Sequence, residues 1–336
     1  MKNEISFVVI GFGHIGKRHA EMILKNPSSN VVAVVDVKDK ENLNTKLNVP
    51  FFRNLKDLFE SEIDFDIATI ATPNGLHCQH ALQILNFYKH VIIEKPMALT
   101  ASDAELIIHK ALEVHKHVFT VMQNRYSPPS KWIKGLVEEK LFGDIYFVQL
   151  NCYWNRDDRY YTKNSWHGSK KLDGGTLFTQ FSHFIDLMYW LFGDIIEINS
   201  NFYDFNHSNL TDFEDSGFVN FKFKSGPVGL LNFSTSVCHK NFESSMTIIS
   251  ENGTVKIGGQ YMDKVEYCDL ENYVMPILEK TNPGNDYGTY KGSAQNHGYV
   301  IENVISVLNN NGKIDTNALE GLKVVDIIER IYKSRK

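Results

Sequence analysis

The first third of the chain alternates short, unbroken apolar runs with segments of helical period. The runs are Ile5–Ile10, Val31–Asp36, Asp66–Ile70, His90–Ile93 and His117–Met122. Between them lie Ile15–Lys25, Leu55–Glu60, Leu76–Phe87 and Ala101–His115, whose apolar positions recur every three or four residues. Runs without polar alternation suit strands covered on both faces, as in a parallel sheet. Strand–helix alternation of this kind predicts a doubly wound α/β domain.

The pattern changes at Ser127-Pro128-Pro129-Ser130. A helix over Lys131–Glu139 is followed by runs that alternate polar with apolar residues: Ile145–Trp154, Glu197–Tyr203, Phe218–Lys224, Val228–Ser236, Glu243–Ser250 and Thr254–Ile257. Together with turns at Lys224-Ser225-Gly226-Pro227 and Glu251-Asn252-Gly253, they predict an open, mostly antiparallel sheet with one wet face. One helix, Gly175–Leu191, interrupts the strands, and two more, Ala294–Leu308 and Thr316–Lys333, follow them. The division expected is a dinucleotide-binding domain over 1–126 and a substrate-binding and oligomerisation domain over 127–336.

Composition narrows the class. A chain of 336 residues, 43% hydrophobic and 22% charged, suits two globular domains at roughly 150 residues each. The net charge of −5 gives no basic excess for nucleic acid. Cys78, Cys152, Cys238 and Cys268 form no CxxC pair, which argues against a zinc site or disulfide framework and fits a reducing compartment. No metal site is expected. The most apolar helix-length stretch, Leu177–Phe192, carries Gln180, His183 and Asp186, so no membrane span is expected. Nor is there a signal peptide, and the expected location is the cytoplasm.

Gly11-Phe12-Gly13-His14-Ile15-Gly16 follows the first run and opens the first helix. In such a loop the first glycine makes the tight turn, the second lets backbone approach a pyrophosphate, and the third allows close helix–strand packing. Asp36 ends the second run twenty residues after Gly16, where a carboxylate can bind the adenosine ribose hydroxyls and repel a 2′-phosphate. NAD is therefore expected over NADP, with Lys38 the neighbour that would favour a phosphate.

With Ala71-Thr72-Pro73-Asn74 and His77, Glu94-Lys95-Pro96, and Gly174-Gly175 followed by His183-x-x-Asp186, the chain resembles the glucose–fructose oxidoreductase/inositol dehydrogenase (Gfo/Idh/MocA) family along its whole length. The resemblance implies that Lys95 and His183 are the catalytic pair and that the Lys95–Pro96 bond is cis. It puts Thr72, Pro73, Asn74, His77 and Glu94 beside the dinucleotide, and it implies a homodimer or homotetramer built through the C-terminal sheet. Gln123 and Arg125 end the last Rossmann strand and would face the same crevice. Trp166-His167 stands where many relatives carry a Trp-Arg pair meeting the nicotinamide. His77 also reads as a purely structural residue, and Asp186 as either an orienter of His183 or part of a structural network. Thr179 occupies the position, four before the histidine, where relatives often carry aspartate. With Gln180 it is left a supporting role, so the proton chemistry falls to His183 and Lys95.

The stretch Arg156–Lys171 is net +3 in an otherwise acidic chain, and it interleaves Tyr160, Tyr161 and Trp166. Arg156 and Arg159 would suit an oxyanion and the tyrosines a sugar face. The bland alternative is a solvated basic loop. Three further stretches resemble the UDP-N-acetyl-glucosaminuronate 3-dehydrogenases within the family: Gln123–Pro129, Asp173–Gln180 and Gly292–His297. They bring Asn296 among the substrate residues. The reading is an NAD-dependent dehydrogenase of a sugar nucleotide in surface polysaccharide synthesis. A polyol dehydrogenase and a non-catalytic sugar or NAD sensor of the same fold stand as alternatives.

Overall fold

The structure, a computed structural model, describes residues 4–43, 45–163, 165–288 and 290–335. The chain forms two compact units, 1–122 with 297–325 and 123–296 with 326–336.

The first unit begins with β1 (Ile5–Ile10), α1 (His14–Lys25), β2 (Ser29–Val35), β3 (Phe51–Phe52), α2 (Leu55–Glu60), β4 (Ile67–Ile70), α3 (His77–Asn86), β5 (His90–Ile93), α4 (Ala101–Glu113) and β6 (Val118–Thr120). All its sheet pairs are parallel, in the order β3-β2-β1-β4-β5-β6. Phe7, Val8, Val9, Ile67, Ala68 and Val91–Ile93 have no exposed surface, which is why these strands read as unbroken apolar runs. The order reverses between β1 and β4, and ligands of such sheets bind beyond the strand ends at that switch point. The two-residue edge strand β3 is too short to leave a pattern in the sequence.

The second unit contains α5 (Pro128–Glu138), β7 (Ile145–Tyr153), α6 (Thr176–Thr179), α7 (Ser182–Phe192), β8 (Ile195–Tyr203), β9 (Ser216–Phe223), β10 (Val228–Ser234), β11 (Glu243–Ser250), β12 (Gly253–Gly258), β13 (Lys264–Leu270) and the hairpin β14 (Gly284–Asp286)/β15 (Lys291–Ala294). Its large sheet runs β13-β12-β11-β7-β10-β9-β8, antiparallel except for β7 with β10. The helices cover one face, where Phe181 meets Phe233 and Trp154 at ring distances of 5.9 and 5.5 Å. On the other face Ile249 and Val228 both lie in register with Phe147, and both are substantially exposed.

The single helix expected over 175–191 is two. Phe181 N–H reaches the Thr176 carbonyl five residues back, a widened turn between α6 and α7 of the kind often found at functional sites. The mostly exposed edge strand β13 gives no one-sided apolar pattern and was not anticipated. Two helices close the chain, α8 (His297–Leu308) and α9 (Ala318–Lys333). Within the first unit α8 packs on α1, and Thr120 N–H donates to the Thr316 carbonyl at 3.0 Å. The expected division at 126/127 follows chain order and does not anticipate this return of 297–325. Among the described residues, no helix is long and apolar enough to cross a membrane.

Candidate active site

In the first unit the three glycines of the loop differ in surroundings. A Cβ on Gly11 (φ 83°) would stand 2.7 Å from the Ala71 carbonyl oxygen, and one on Gly16 would stand 1.9 Å from that of Gly11. A Cβ on Gly13 would meet nothing within 4 Å. The loop is thus tight where it packs on the sheet and open where a ligand would approach. No side chain caps the first turn of α1, which leaves its N-terminal dipole directed at an anion. Phe12 is buried, edge-on to Phe51, and Ile15 is half-buried. Burial, and then nearby Lys17, pushes His14 down, so it adds no positive charge to the loop near neutral pH.

Asp36 accepts the Phe12 N–H at 2.7 Å and the Lys38 N–H at 2.8 Å. These bonds fix the carboxylate at the rim of the loop with acceptor capacity remaining for a ribose diol. Asp36→Ala is expected to weaken NAD roughly tenfold while leaving NADP little changed or tighter. Fluorescence titration with both reduced cofactors measures this. Wild-type protein that binds NADP as well as NAD would overturn the assignment.

Beyond β4, Thr72 Oγ1 pairs with His80 Nδ1 at 3.0 Å, and Pro73 leads into a 3-10 turn that buries Asn74. His77 has no exposed surface, and its ring nitrogens face the carbonyls of Pro96 (2.8 Å) and Thr72 (2.9 Å). It ties together the turns after β4 and β5, which favours the structural reading of this residue. The Lys95–Pro96 bond is cis, and Lys95 is half-buried.

Glu94 does not line an open surface. It is buried, with Oε1 2.8 Å from His19 Nε2 and 3.4 Å from His297 Nε2, and Oε2 accepts the Lys95 N–H at 3.2 Å. Burial alone would raise its pKa, but the hydrogen bonds to His19 and His297 outweigh that and hold it well below the usual carboxylate range. Glu94 thus anchors the backbone of Lys95. The three ligand atoms lie within 4.8 Å of one another, and His19 already shares a hydrogen bond with Glu94. Nothing local in the sequence links His19 and His297 to Glu94.

In the second unit the buried His183 stands in the first turn of α7, its Nε2 3.2 Å from Gln123 Nε2. With the amide nitrogen donating, the imidazole is neutral with its lone pair on Nε2, the form that accepts a proton. Gln123 Oε1 is buried without a hydrogen-bond partner among the described residues, so it can still meet a ligand hydroxyl.

Arg125 was expected to face the dinucleotide, but its guanidinium is buried and forked onto Asp186, Nε to Oδ2 at 2.8 Å and Nη2 to Oδ1 at 2.5 Å. Asp186 thus fits the structural-network reading. The Thr179 hydroxyl donates to the Asp173 carboxylate and, at 3.0 Å, to its carbonyl oxygen. Asn296 is also internal. Its amide donates to the Gln123 carbonyl (3.2 Å) and Ser127 Oγ (3.0 Å), and so supports Gln123.

The basic stretch is neither an exposed clamp nor a fully solvated loop. Arg156 is buried: Nε donates to Gln180 Oε1 (2.7 Å), Nη1 to Asn155 O and Asn241 Oδ1, and Nη2 to Lys291 O. Tyr160 and Tyr161 are buried beside it, and Tyr160 OH accepts from Gln180 Nε2 at 2.9 Å. Arg159 is half-exposed and already paired with Asp157 at 2.6 Å. Hydrogen bonding or burial engages Arg156, Arg159 and the two tyrosines, so none of them forms an open, exposed clamp. Trp166 stacks on His167 at 4.0 Å, and Ser165 Oγ holds His167 Nδ1 at 2.7 Å. Asn164 of the same stretch lies outside the described residues.

Two family models match the chain. One, an oxidoreductase family with an NAD-binding Rossmann fold, covers residues 5–122, and the other, the C-terminal alpha/beta domain of that family, covers 134–336. Among solved structures, the WlbA dehydrogenase from Bordetella pertussis in complex with NADH and UDP-GlcNAcA is 27% identical. It matches 99% of this chain and 96% of its own, with a TM-score of 0.86. The WlbA dehydrogenase from Chromobacterium violaceum, with the same two ligands, is 28% identical and matches 99% and 94%, also at a TM-score of 0.86. Oxidoreductase P35 of Formosa agariphila is 25% identical over 84% of this chain and 91% of its own. With a glycine loop that fits a dinucleotide, a mixed second sheet and model matches over nearly every residue, the chain belongs to the Gfo/Idh/MocA family of NAD-dependent oxidoreductases.

Proposed function

We propose that the protein oxidises a sugar hydroxyl, the 3-hydroxyl of UDP-N-acetyl-glucosaminuronate, in the cytoplasmic synthesis of a surface polysaccharide. The observation that carries this reading is the similarity, over 99% of the chain, to two dehydrogenases bound to NADH and UDP-GlcNAcA. The substrate hydroxyl displaces the Gln123 amide from the Nε2 lone pair, and His183 takes the hydroxyl proton there as the carbinol carbon becomes a carbonyl. The Gln123 amide holds the imidazole neutral and oriented until then. Lys95, its backbone fixed by Glu94, polarises the substrate oxygen. NAD, when bound, accepts the hydride. The roles of Asp36 and the open glycine at 13 in holding that cofactor belong to the same proposal.

A panel of purified substrates followed by nicotinamide absorbance tests the reading. The nucleotide sugar is expected to give a kcat/KM at least roughly a hundredfold above that of inositol or free glucose. Equal turnover of the neutral polyols removes the assignment. The apolar register of Ile249, Phe147 and Val228 on the outer face of the second sheet supports a homo-oligomer formed through that sheet, which sedimentation velocity checks.

A further inference from the structure

The second unit carries an open cavity of about 760 Å³ that the catalytic residues do not line. Its size lies in the range of sites for whole small ligands and exceeds what a single ion needs. The walls hold Lys240, Lys291, Asn241, Gln260, Phe242 and Tyr290, and no carboxylate is among the lining residues. In a chain of net charge −5 such a concentration of positive charge is selective. Lys240 makes no ion pair among the described residues, and Lys291 has only Asp286, 3.9 Å away. Arg159 also lines the cavity, but Asp157 largely neutralises it.

A second source of positive potential lies beneath the wall. Arg156 is buried with neutral partners only, among them Lys291 O and Asn241 Oδ1. The rings of Tyr290, Tyr160 and Trp154 lie 4.8 to 5.1 Å from its guanidinium carbon. A buried cation without an anion is costly, and part of that cost is recovered when an anion binds on the other side of a thin polar wall. On its inner side the same guanidinium holds Gln180, three residues before His183. An anion in the cavity is therefore linked through Arg156 and Gln180 to the segment that presents the proton acceptor.

We infer that this cavity holds the diphosphate of a nucleoside diphosphate-linked substrate, with Lys240 and Lys291 as its ion partners and Phe242 as a stacking face for the base. Phe242 is 68% exposed beside the basic wall, with Tyr153 stacked on it at 6.5 Å, and its exposed ring is open to a base. The loop conformation is set beforehand: His239 holds a left-handed φ of 67°, and its carbonyl accepts from Arg159 at 3.2 Å. The inference rests on the nucleotide-sugar reading above and supplies the substrate handle that the buried Arg156 cannot itself provide.

Calorimetry on the full chain with UDP, uridine and inorganic pyrophosphate as probes tests it. UDP is expected to bind saturably and more tightly than pyrophosphate or uridine. K240Q/K291Q is expected to weaken UDP by at least roughly tenfold, with uridine and NADH unaffected. F242A is expected to weaken UDP and leave pyrophosphate unchanged. UDP binding that ignores the lysines overturns the assignment, as does pyrophosphate binding as tight as that of UDP. Its failure is separable from failure of the proposed function. Oxidation of the nucleotide sugar without lysine-dependent UDP binding sinks the cavity assignment alone. Lysine-dependent UDP binding with no nucleotide sugar oxidised sinks the substrate alone.

Discussion

Replacing His183 by asparagine is expected to lower kcat by roughly a thousandfold while NADH affinity stays within about twofold, because a general base supplies about that much and touches only the proton. Asparagine keeps a polar group near Gln123 Nε2, so packing in the first turn of α7 is little changed. Lys95→Met should cause a loss of similar size, since it removes the charge that polarises the oxygen but leaves the backbone N–H that Glu94 holds. Steady-state kinetics with the nucleotide sugar, alongside NADH fluorescence titration, measures both. Near-normal turnover in either variant removes that residue from the mechanism. A collapse of NADH binding in H183N would instead identify it as a structural residue.

The second large effect is on stability. The Arg125–Asp186 pair is buried on both sides, at 4% and 0% exposure, and joined by two hydrogen bonds. Asp186→Ala leaves a guanidinium buried without its anion, and a loss of about 3–5 kcal/mol is expected in urea denaturation. Arg125→Met should cost a comparable amount through the stranded carboxylate. The double variant R125M/D186L should recover most of the loss, because both charges then go together. Additive losses in the double variant would show that the two side chains act independently. Asp186 shares α7 with His183, so single variants that still fold should also show reduced kcat.

The first sheet was legible because buried parallel strands leave unbroken apolar runs, and the glycine loop because Gly11 and Gly16 answer to local steric demands while Gly13 leaves room for a ligand. The second sheet was legible where one face is wet, as in β7 and β10, and illegible in β13, which is exposed along most of its length. Site residues divide by whether their partners are near in sequence. The spacing of Asp36 from the glycines carries its role. Arg125 and Asp186 are 61 residues apart, and His19 and Glu94 are 75 apart, so no window contains either pair. Arg156 shows the opposite failure. A basic residue in a basic stretch reads as exposed, yet Gln180, Asn241 and Tyr290 from distant segments join the nearby Trp154 and Tyr160 to enclose it. The cavity beyond it draws its walls from four separate segments, and no single stretch announces it.

Because the first unit is assembled from 1–122 and 297–325, it leaves the ribosome with its sheet complete but without α8. At roughly 5–20 residues per second, about two hundred residues and some tens of seconds separate the emergence of Glu94 from that of His297. During that interval the carboxylate that fixes Lys95 has His19 but not its second imidazole, and α1 lacks the cover of α8. A chain truncated before His297 is therefore expected to bind NADH more weakly than the full chain, which fluorescence titration measures. A chain released early carries a whole glycine fingerprint on an unfinished domain, with the face of α1 that α8 covers left open.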